Sequence, residues 1–499
     1  MSVASELPSA LRVSHDDNVA VALRPLEAGE TVAVDGLRTP VRNAVRAGHK
    51  FALKDFQPGD RVIRYGAPIG IVTQSITAGE HVHSHNLRTA LVGEVAYRFS
   101  GSSPSRSSVV RPRTFRGYRR KGGKVGTRNE VWILPTVGCV GRLSEKLASA
   151  GAELARGRVD GVHAFNHPFG CSQLGADLQG TTAILASLAQ NPNAGGVLLV
   201  GLGCESNQLD ALCDTIPSEA AVRVRTLRAQ DEEDEFAAGM ALIESLIIAM
   251  AADEREETTL SGLCLGVKCG GSDAMSGLTA NPLIGHISDA VTGAGGSAIL
   301  TEIPEMFGAE TLLMERAQTE HVFEQLGIVI NRFKRYFLEN GEPVSENPSP
   351  GNIAGGITTL EEKSLGAVQK GGHAMVRDVI DYGSRTKVDG LTILEAPGND
   401  AVSSTALAAA GANIVLFSTG RGTPLGCPVP TIKIASNSPL AASKSNWIDF
   451  DGGCVLECGM ESAAAALLEK ILETASGCPT RNELNEERSI GIWKRGVTL

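Results

Sequence analysis

Apolar positions in the first 99 residues come in short runs, as in VAVALRPLEAGETVAV, HKFALKDFQPGDRVIRYG and PIGIVTQSITAGEHVHSH, broken by glycine-bearing polar turns. Short β-strands are what such runs predict. The phrase L-x-x-G-(E/D)-x-V at 26–32 returns in related form at 56–62 and 76–82, which predicts a small barrel or clip built from similar β units. Beyond residue 115 the pattern changes. Apolar runs at 131–137, 160–165, 196–201, 263–267, 298–302, 391–395 and 413–418 alternate with Ala- and Leu-rich stretches at 143–155, 179–190, 235–252 and 459–474. Strand runs alternating with helical stretches predict an α/β layer structure.

The expected fold class is therefore multidomain α/β. A small β-rich domain occupies 1–99, a linker 100–114, and an α/β region follows in two parts, 115–257 and 258–499. The linker, SGSSPSRSSVVRPRT, is too polar to order itself by burial. A charged stretch near 253–261 reads as a break between the two α/β parts. Residues 340–356, rich in Gly, Pro and Asn, read as a long irregular stretch of the kind that often carries a site.

Composition narrows the function classes. A length of 499 residues exceeds what one core serves. A formal charge of -10 argues against nucleic acid as the main partner, although a few focused cations can still bind a small anion. No apolar run reaches the roughly 20 residues that span a bilayer, and the start lacks the regions of a signal peptide, so no membrane partner and a cytoplasmic location are expected. Ten scattered cysteines then read as reduced thiols, buried small residues or ligands rather than a disulfide framework.

In open α/β sheets ligands bind beyond the carboxyl ends of the strands. The segments there combine glycine with reactive side chains: Gly138-Cys139; Asn166-His167 and Gly170-Cys171-Ser172-Gln173; Gly203-Cys204-Glu205-Ser206-Asn207-Gln208; Cys269-Gly270-Gly271-Ser272-Asp273; Glu302 with Glu305; Gly398-Asn399-Asp400; and Gly420-Arg421-Gly422. Seven such exits are expected to converge on one cleft. The plainer alternative makes Cys139, Cys204 and Cys269 small buried hydrophobes.

A second constellation is Glu80-His81-Val82-His83-Ser84-His85-Asn86. In an extended chain the three histidines share a face, and neutral imidazole is a common metal ligand. A solvated polar face is the alternative. His49, alone beside an apolar run, reads as structural. Basic groups suited to an acid substrate lie at Lys124–Asn129 and Thr419–Thr423, where Arg421 between glycines presents its planar fork to a carboxylate. Walker-type spacing and a strict G-x-G-x-x-G after a strand are both absent, so nucleotide use has little support.

At these same residues the chain resembles the altronate/galactarate dehydratase family from end to end. The resemblance is carried by DNVAVAL, GHKFAL, GEHVHSHN, VGTRNEVWILPTVGCV, FGCSQLG, CGGSDAMSGLTANP, TEIPEMFGAE, ENPSPGN, GGITTLEEKSLG, FSTGRGTP and the terminal GVTL. It implies an antifreeze-like (β-clip) N-terminal domain, a two-part α/β catalytic region, and a hydro-lyase using Fe2+, with Mn2+ as the alternative ion. D-altronate would be dehydrated to 2-dehydro-3-deoxy-D-gluconate in hexuronate breakdown; galactarate or a related sugar acid is the nearest substrate alternative. The stretch Gly426-Cys427-Pro428, Ile353, Cys454 and Cys458 depart from the family pattern.

Dehydrating a 2,3-dihydroxy acid means removing the C2 proton and expelling the C3 hydroxyl, both easier when a divalent ion chelates the acid. His83 and His85 are the first metal-ligand candidates, with Cys171, Cys204 and Cys269 as a rival set. His167, Glu205 and Glu302 are the proton-transfer candidates. Arg128, Asn129, Asn207, Gln208, Ser272, Asp273 and Arg421 are the candidates for orienting the acid and its hydroxyls. Two other readings stand beside this one: an Fe–S dehydratase using thiolates among Cys139, Cys171, Cys204 and Cys269, and a non-catalytic sugar-acid binder. The expected partner is a small sugar acid, and a homo-oligomer is compatible with the sequence.

Overall fold

The structure is a computed structural model that describes residues 8–99, 101 and 112–499. Most of the expected linker therefore lies outside the described residues, and its last residue, Thr114, already begins a strand, Thr114–Arg119.

The repeated phrase builds the small domain. Each unit turns on a glycine at positive φ, Gly29 at 89°, Gly59 at 98° and Gly79 at 88°. The next residue, Glu30, Asp60 or Glu80, accepts the backbone N–H three residues earlier at 3.2, 2.7 and 2.7 Å. A carboxylate closing its own turn is local chemistry that the sequence alone specifies. At Gly79 a Cβ would stand 1.9 Å from the Pro40 carbonyl oxygen, so only glycine fits. A fourth copy, Val45–Phe51, keeps the glycine, Gly48, but places His49 where the others carry the acid. The resulting strands form an antiparallel sheet of Ala10–Leu11, Val19–Ala22, Lys50–Ala52 and His81–Val82, a hairpin Thr31–Val34/Leu37–Pro40, and a second sheet of Arg61–Arg64, Ala67–Val72 and Leu87–Arg88.

All seven expected α/β strands form, but in two sheets. Gly161–Ala164, Glu130–Pro135, Ala194–Gly201 and Val224–Arg228 make a four-stranded parallel sheet. A seven-stranded parallel sheet runs Val376–Ile380, Gly390–Leu394, Ser297–Leu300, Cys264–Cys269, Ile414–Thr419, Thr431–Ala435, Phe450–Asp451. The seven expected exits thus divide, three on one sheet and four on the other. The charged stretch near 253–261, between the two α/β parts, carries a strand: Arg255–Thr259 is an edge strand paired over five residues with Thr114–Arg119. Its mostly solvent-facing REETT carries no apolar alternation to announce it.

The small domain docks onto the second α/β domain through buried charge. Glu362, in the first turn of the helix Leu360–Ala367, receives the Lys50 ammonium at 2.9 Å and the Arg64 guanidinium. Thr358 donates to it through N–H and Oγ1 at 2.8 and 2.6 Å. The neighbouring Glu361 accepts from Thr89 and from the Ala90 N–H. One carboxylate serving two cations gains the most: its pKa falls to about 2, against the opposing effect of burial. Burial pulls Lys50 the other way, down to about 8, with Arg64 adding repulsion to the attraction of Glu362.

Candidate active site

The strand Cys264–Cys269 occupies the centre of the seven-stranded sheet, and its exit opens onto a fully buried polar cluster. The Cys269 thiol donates to Glu305 at 2.9 Å and receives the Lys370 ammonium at 2.8 Å. Lys363 pairs with Glu305 at 2.9 Å, and Lys268 pairs with Glu302 at 3.0 Å and Asp400 at 2.6 Å. Glu302 also accepts the Cys269 N–H at 3.1 Å. It holds a left-handed backbone, φ 69°, immediately before the 3-10 turn Ile303–Met306. Non-glycine residues at positive φ concentrate at functional sites.

Burial pushes the Glu302 carboxyl up, with the Glu305 charge adding to the effect against the attraction of Lys268. Glu305 goes the other way, held low despite burial by Lys363 and Lys370. Burial and Glu305 push the Cys269 thiol up to about 12, so it is a neutral S–H. The strand exit therefore holds one carboxyl raised toward its protonated form beside one held ionised.

Over this cluster lies the loop 347–356, which is less irregular than expected. It carries a short helix, Pro350–Ala354, with a Ser349/Asn352 capping box. Asn352 donates to the Ser272 carbonyl at 2.7 Å, Lys363 donates to Asn347 at 3.0 Å, and Arg421 reaches the Gly351 carbonyl at 3.5 Å. On its other side the loop meets the histidines. His83 Nε2–H donates to the Ile353 carbonyl at 3.1 Å, and His49 Nε2–H faces the Ala354 carbonyl at 3.4 Å.

The expected extended face of three histidines forms only in part. The strand stops at Val82, and His83–Asn86 is a turn closed by Asn86 Oδ1, which accepts the His83 N–H at 2.9 Å. His85 is exposed, its ring 5.5 Å from that of His81. In its place the cluster recruits His49, whose Nδ1 lies 3.0 Å from His81 Nε2 and whose ring stacks 5.0 Å from that of His83. Burial lowers His49, takes His81 down to about 3 with its neighbouring imidazoles, and takes His83 down to about 4 with Lys50, so all three rings are neutral at pH 7.

Neutral imidazoles keep a lone pair of the kind a divalent ion takes. With carbonyls accepting from His49 and His83, the bond chain leaves lone pairs on His81 Nδ1 and His83 Nδ1, the latter facing Ser84 Oγ at 3.0 Å. An imidazole whose other N–H is fixed by a carbonyl is the usual preparation of a metal ligand. Among the described residues, the ligand atoms of Cys269, Glu302 and Glu305 lie within 4.8 Å of one another, close enough to hold an ion, and the histidines form no such group of three. That group is already balanced, however, by Lys268, Lys363 and Lys370.

The remaining candidates fall elsewhere. Cys171 and Cys204 are exposed at the exits of the four-stranded sheet, apart from the buried Cys269 group. On that sheet His167 has both nitrogens engaged by backbone, Nε2–H to the Pro135 carbonyl at 2.8 Å and Nδ1 from the Phe169 N–H at 3.1 Å. Glu205 binds Thr136 at 2.6 Å and the N–H groups of Leu202 and Gly203, shaping its own turn. Asn207 bridges Thr182 and the Thr136 carbonyl, and Gln208 caps the carbonyls of Gly203 and Glu205. Arg128 and Asn129 precede the strand Glu130–Pro135, so they sit at the edge opposite the exits. Arg128 is a strut to Glu483 and to the Thr474 and Cys478 carbonyls, and Asn129 accepts from Arg120. Asp273 is spent pinning Ser276, Ser436 and Asn437. Ser272 lies buried beside Asn352, while Arg421 is exposed and, among the described residues, has only the Gly351 carbonyl as a hydrogen-bond partner.

Sequence reasoning missed His49, Lys268, Lys363 and Lys370. The β-unit repeat carried the signal for His49, which occupies the position of Glu80. Lys363 and Lys370 are seven residues apart, a spacing that stacks side chains on one face of a helical run.

Three family models match the chain: the altronate/galactarate dehydratase SAF domain over 8–90, the D-galactarate dehydratase/altronate hydrolase second domain over 117–251, and the D-galactarate/altronate dehydratase C-terminal domain over 260–498. The chain is 48% identical to the altronate dehydratase of Escherichia coli (strain K12), over 97% of this chain and 98% of that protein. It is 45% identical to the altronate dehydratase of Bacillus subtilis (strain 168), over 99% and 100%. Its identity to the galactarate dehydratase (L-threo-forming) of Escherichia coli (strain K12) is 32%, over 96% and 95%. Matched in all three of its domains and over nearly its whole length, the chain belongs to the altronate/galactarate dehydratase family.

Proposed function

We propose that the protein is a hydro-lyase that dehydrates D-altronate to 2-dehydro-3-deoxy-D-gluconate, at the junction of the small domain, the loop 347–356 and the exit of the strand Cys264–Cys269. The single observation that carries the substrate choice is 48% and 45% identity to two altronate dehydratases over nearly full length, against 32% to a galactarate dehydratase.

Arg421, exposed and without a carboxylate partner among the described residues, binds the substrate carboxylate through its planar fork. Glu302, with its carboxyl raised toward its protonated form, gives a proton to the departing C3 hydroxyl. A neutral imidazole of the histidine cluster takes the C2 proton, and the enol left behind tautomerises to the 2-keto acid. Fe2+, held by His83 and His85, would supply Lewis-acid polarisation of the carboxylate and its neighbouring hydroxyl, leaving His81 Nδ1 as the imidazole nitrogen that takes the proton. Because Glu302 is fully buried, substrate entry requires the loop to lift from Ser272.

The test is a panel of aldonates and aldarates assayed anaerobically with Fe2+ for 2-keto product. D-altronate should give the highest kcat/KM. A preference for galactarate would move the protein to the other branch of the family, and binding of altronate without consumption would make it a sensor.

A further inference from the structure

Away from the strand exits, a cleft of about 430 Å³ lies between the two α/β domains, at the edge where the strands Ala194–Gly201 and Val224–Arg228 begin. Seven Lys and Arg residues line it against two carboxylates, Glu219 and Asp253, in a chain whose net charge is -10. Asp253 is already taken by Arg120 at 2.7 Å, and Glu219 leans on the turn at Gly122. Arg223 uses one N–H, to the Ala194 carbonyl at 2.9 Å. Arg385 caps the ends of one helix from each domain, through the Ser187 carbonyl at 2.9 Å and the Ala409 carbonyl at 3.3 Å. Neither forms an ion pair among the described residues. Lys121, Lys124 and Arg225 complete the basic wall.

Capping accounts for Arg385 but not for Arg223, whose counter-charge in the wall, Asp253, already pairs with Arg120. Burial, with repulsion from Arg120 and Arg385 against the attraction of Asp253, pulls the Arg223 guanidinium down to about 10, and burial takes Arg385 to about 10. Confined cations lacking their own counter-ions focus a positive potential, and a multivalent anion relieves it. The volume falls in the ordinary range for small-molecule sites, roughly 300–1,000 Å³.

We infer that this interdomain cleft binds a small polyanion bearing phosphate or carboxylate groups, through Arg223, Arg385 and Lys124. Because Arg385 belongs to one α/β domain and Arg223 to the other, the ligand ties the two together and raises the melting temperature as it binds. The site is separate from the dehydration site, so failure of one reading leaves the other standing.

The test is isothermal titration of the full chain with pyrophosphate, with inorganic phosphate, citrate and sodium chloride at matched ionic strength as the other arms. Saturable binding of pyrophosphate or citrate, beyond that of chloride, is expected, and the stronger of the two names the ligand group. Arg223→Gln keeps a donor for the Ala194 carbonyl, and Lys124→Gln changes an exposed side chain. Each should weaken binding about tenfold or more, while turnover without added anion stays unchanged. Binding indistinguishable from that of chloride, or unaltered in both variants, overturns the inference.

Discussion

The Nε2–H of His83 meets the carbonyl oxygen of Ile353 at 3.1 Å, across 270 residues of chain. That bond joins the small domain to a loop whose next residue back, Asn352, is tied to Ser272 at the exit of the central strand. The histidines and the carboxylate cluster are thus two sides of one loop, and a disturbance at either reaches the other through three hydrogen bonds or fewer.

Docking of the small domain rests on Glu362. Replacing it with Gln leaves Lys50 and Arg64 buried without their counter-charge, so Glu362→Gln should cost about 3–5 kcal/mol. Urea unfolding of the variant should show the loss. A cost below about 1 kcal/mol would remove Glu362 as the anchor.

Acid should unfold the protein in a definite window. Glu362 and Glu130, the latter bound by Arg488 at 2.8 and 2.7 Å, both have carboxyls depressed from 4.5 to about 2. A depressed carboxyl stabilises the fold above its unfolded value and loses that contribution as pH falls toward the folded one, on the order of 3 kcal/mol for each. Stability measured by denaturant at successive pH values should begin to fall below about pH 6.5, where the unfolded state protonates the histidines that the fold holds down to about 3 and 4, and fall further between about 4.5 and 2 through the two carboxyls. A flat profile through that range would contradict the assignment.

At the substrate end, Arg421→Gln removes an exposed guanidinium and should leave the melting temperature unchanged. Loss of a charge-assisted bond of about 1.5–3 kcal/mol lowers kcat/KM about 10- to 100-fold, mostly through KM. An unchanged KM would place the carboxylate elsewhere.

For proton transfer, Glu302→Gln keeps the shape and removes the acid. It should lower kcat about 10²- to 10⁴-fold with KM nearly unchanged. Steady-state kinetics on folded variant decides this, and full activity would rule Glu302 out.

Much of the fold was legible because it is written locally. The β units announce themselves through glycine and the acid after it, and each apolar run such as VWILPTV became a strand. The expected two-part α/β region already separates the strands three and four; what stayed hidden was their order within each sheet, since a strand's neighbours depend on pairing across hundreds of residues. The edge strand REETT was hidden for the opposite reason, having little apolar face to display. The site was legible in residue types more than in partners. Glu302 and Arg421 stand at exits as expected, while His167 and Arg128, equally suggestive in sequence, prove to be engaged by backbone and by Glu483. Lys363 and Lys370 lie about 100 residues beyond the cysteine they surround, a distance no local pattern bridges.

The most direct measurement of the central claim is anaerobic turnover of D-altronate in D2O, followed by NMR, with Fe2+ restored to metal-stripped protein. Dehydration predicts 2-dehydro-3-deoxy-D-gluconate with one solvent deuterium at C3, because the enol takes its new proton there from the medium. Altronate recovered unchanged, or a product that keeps its C3 oxygen, would contradict it.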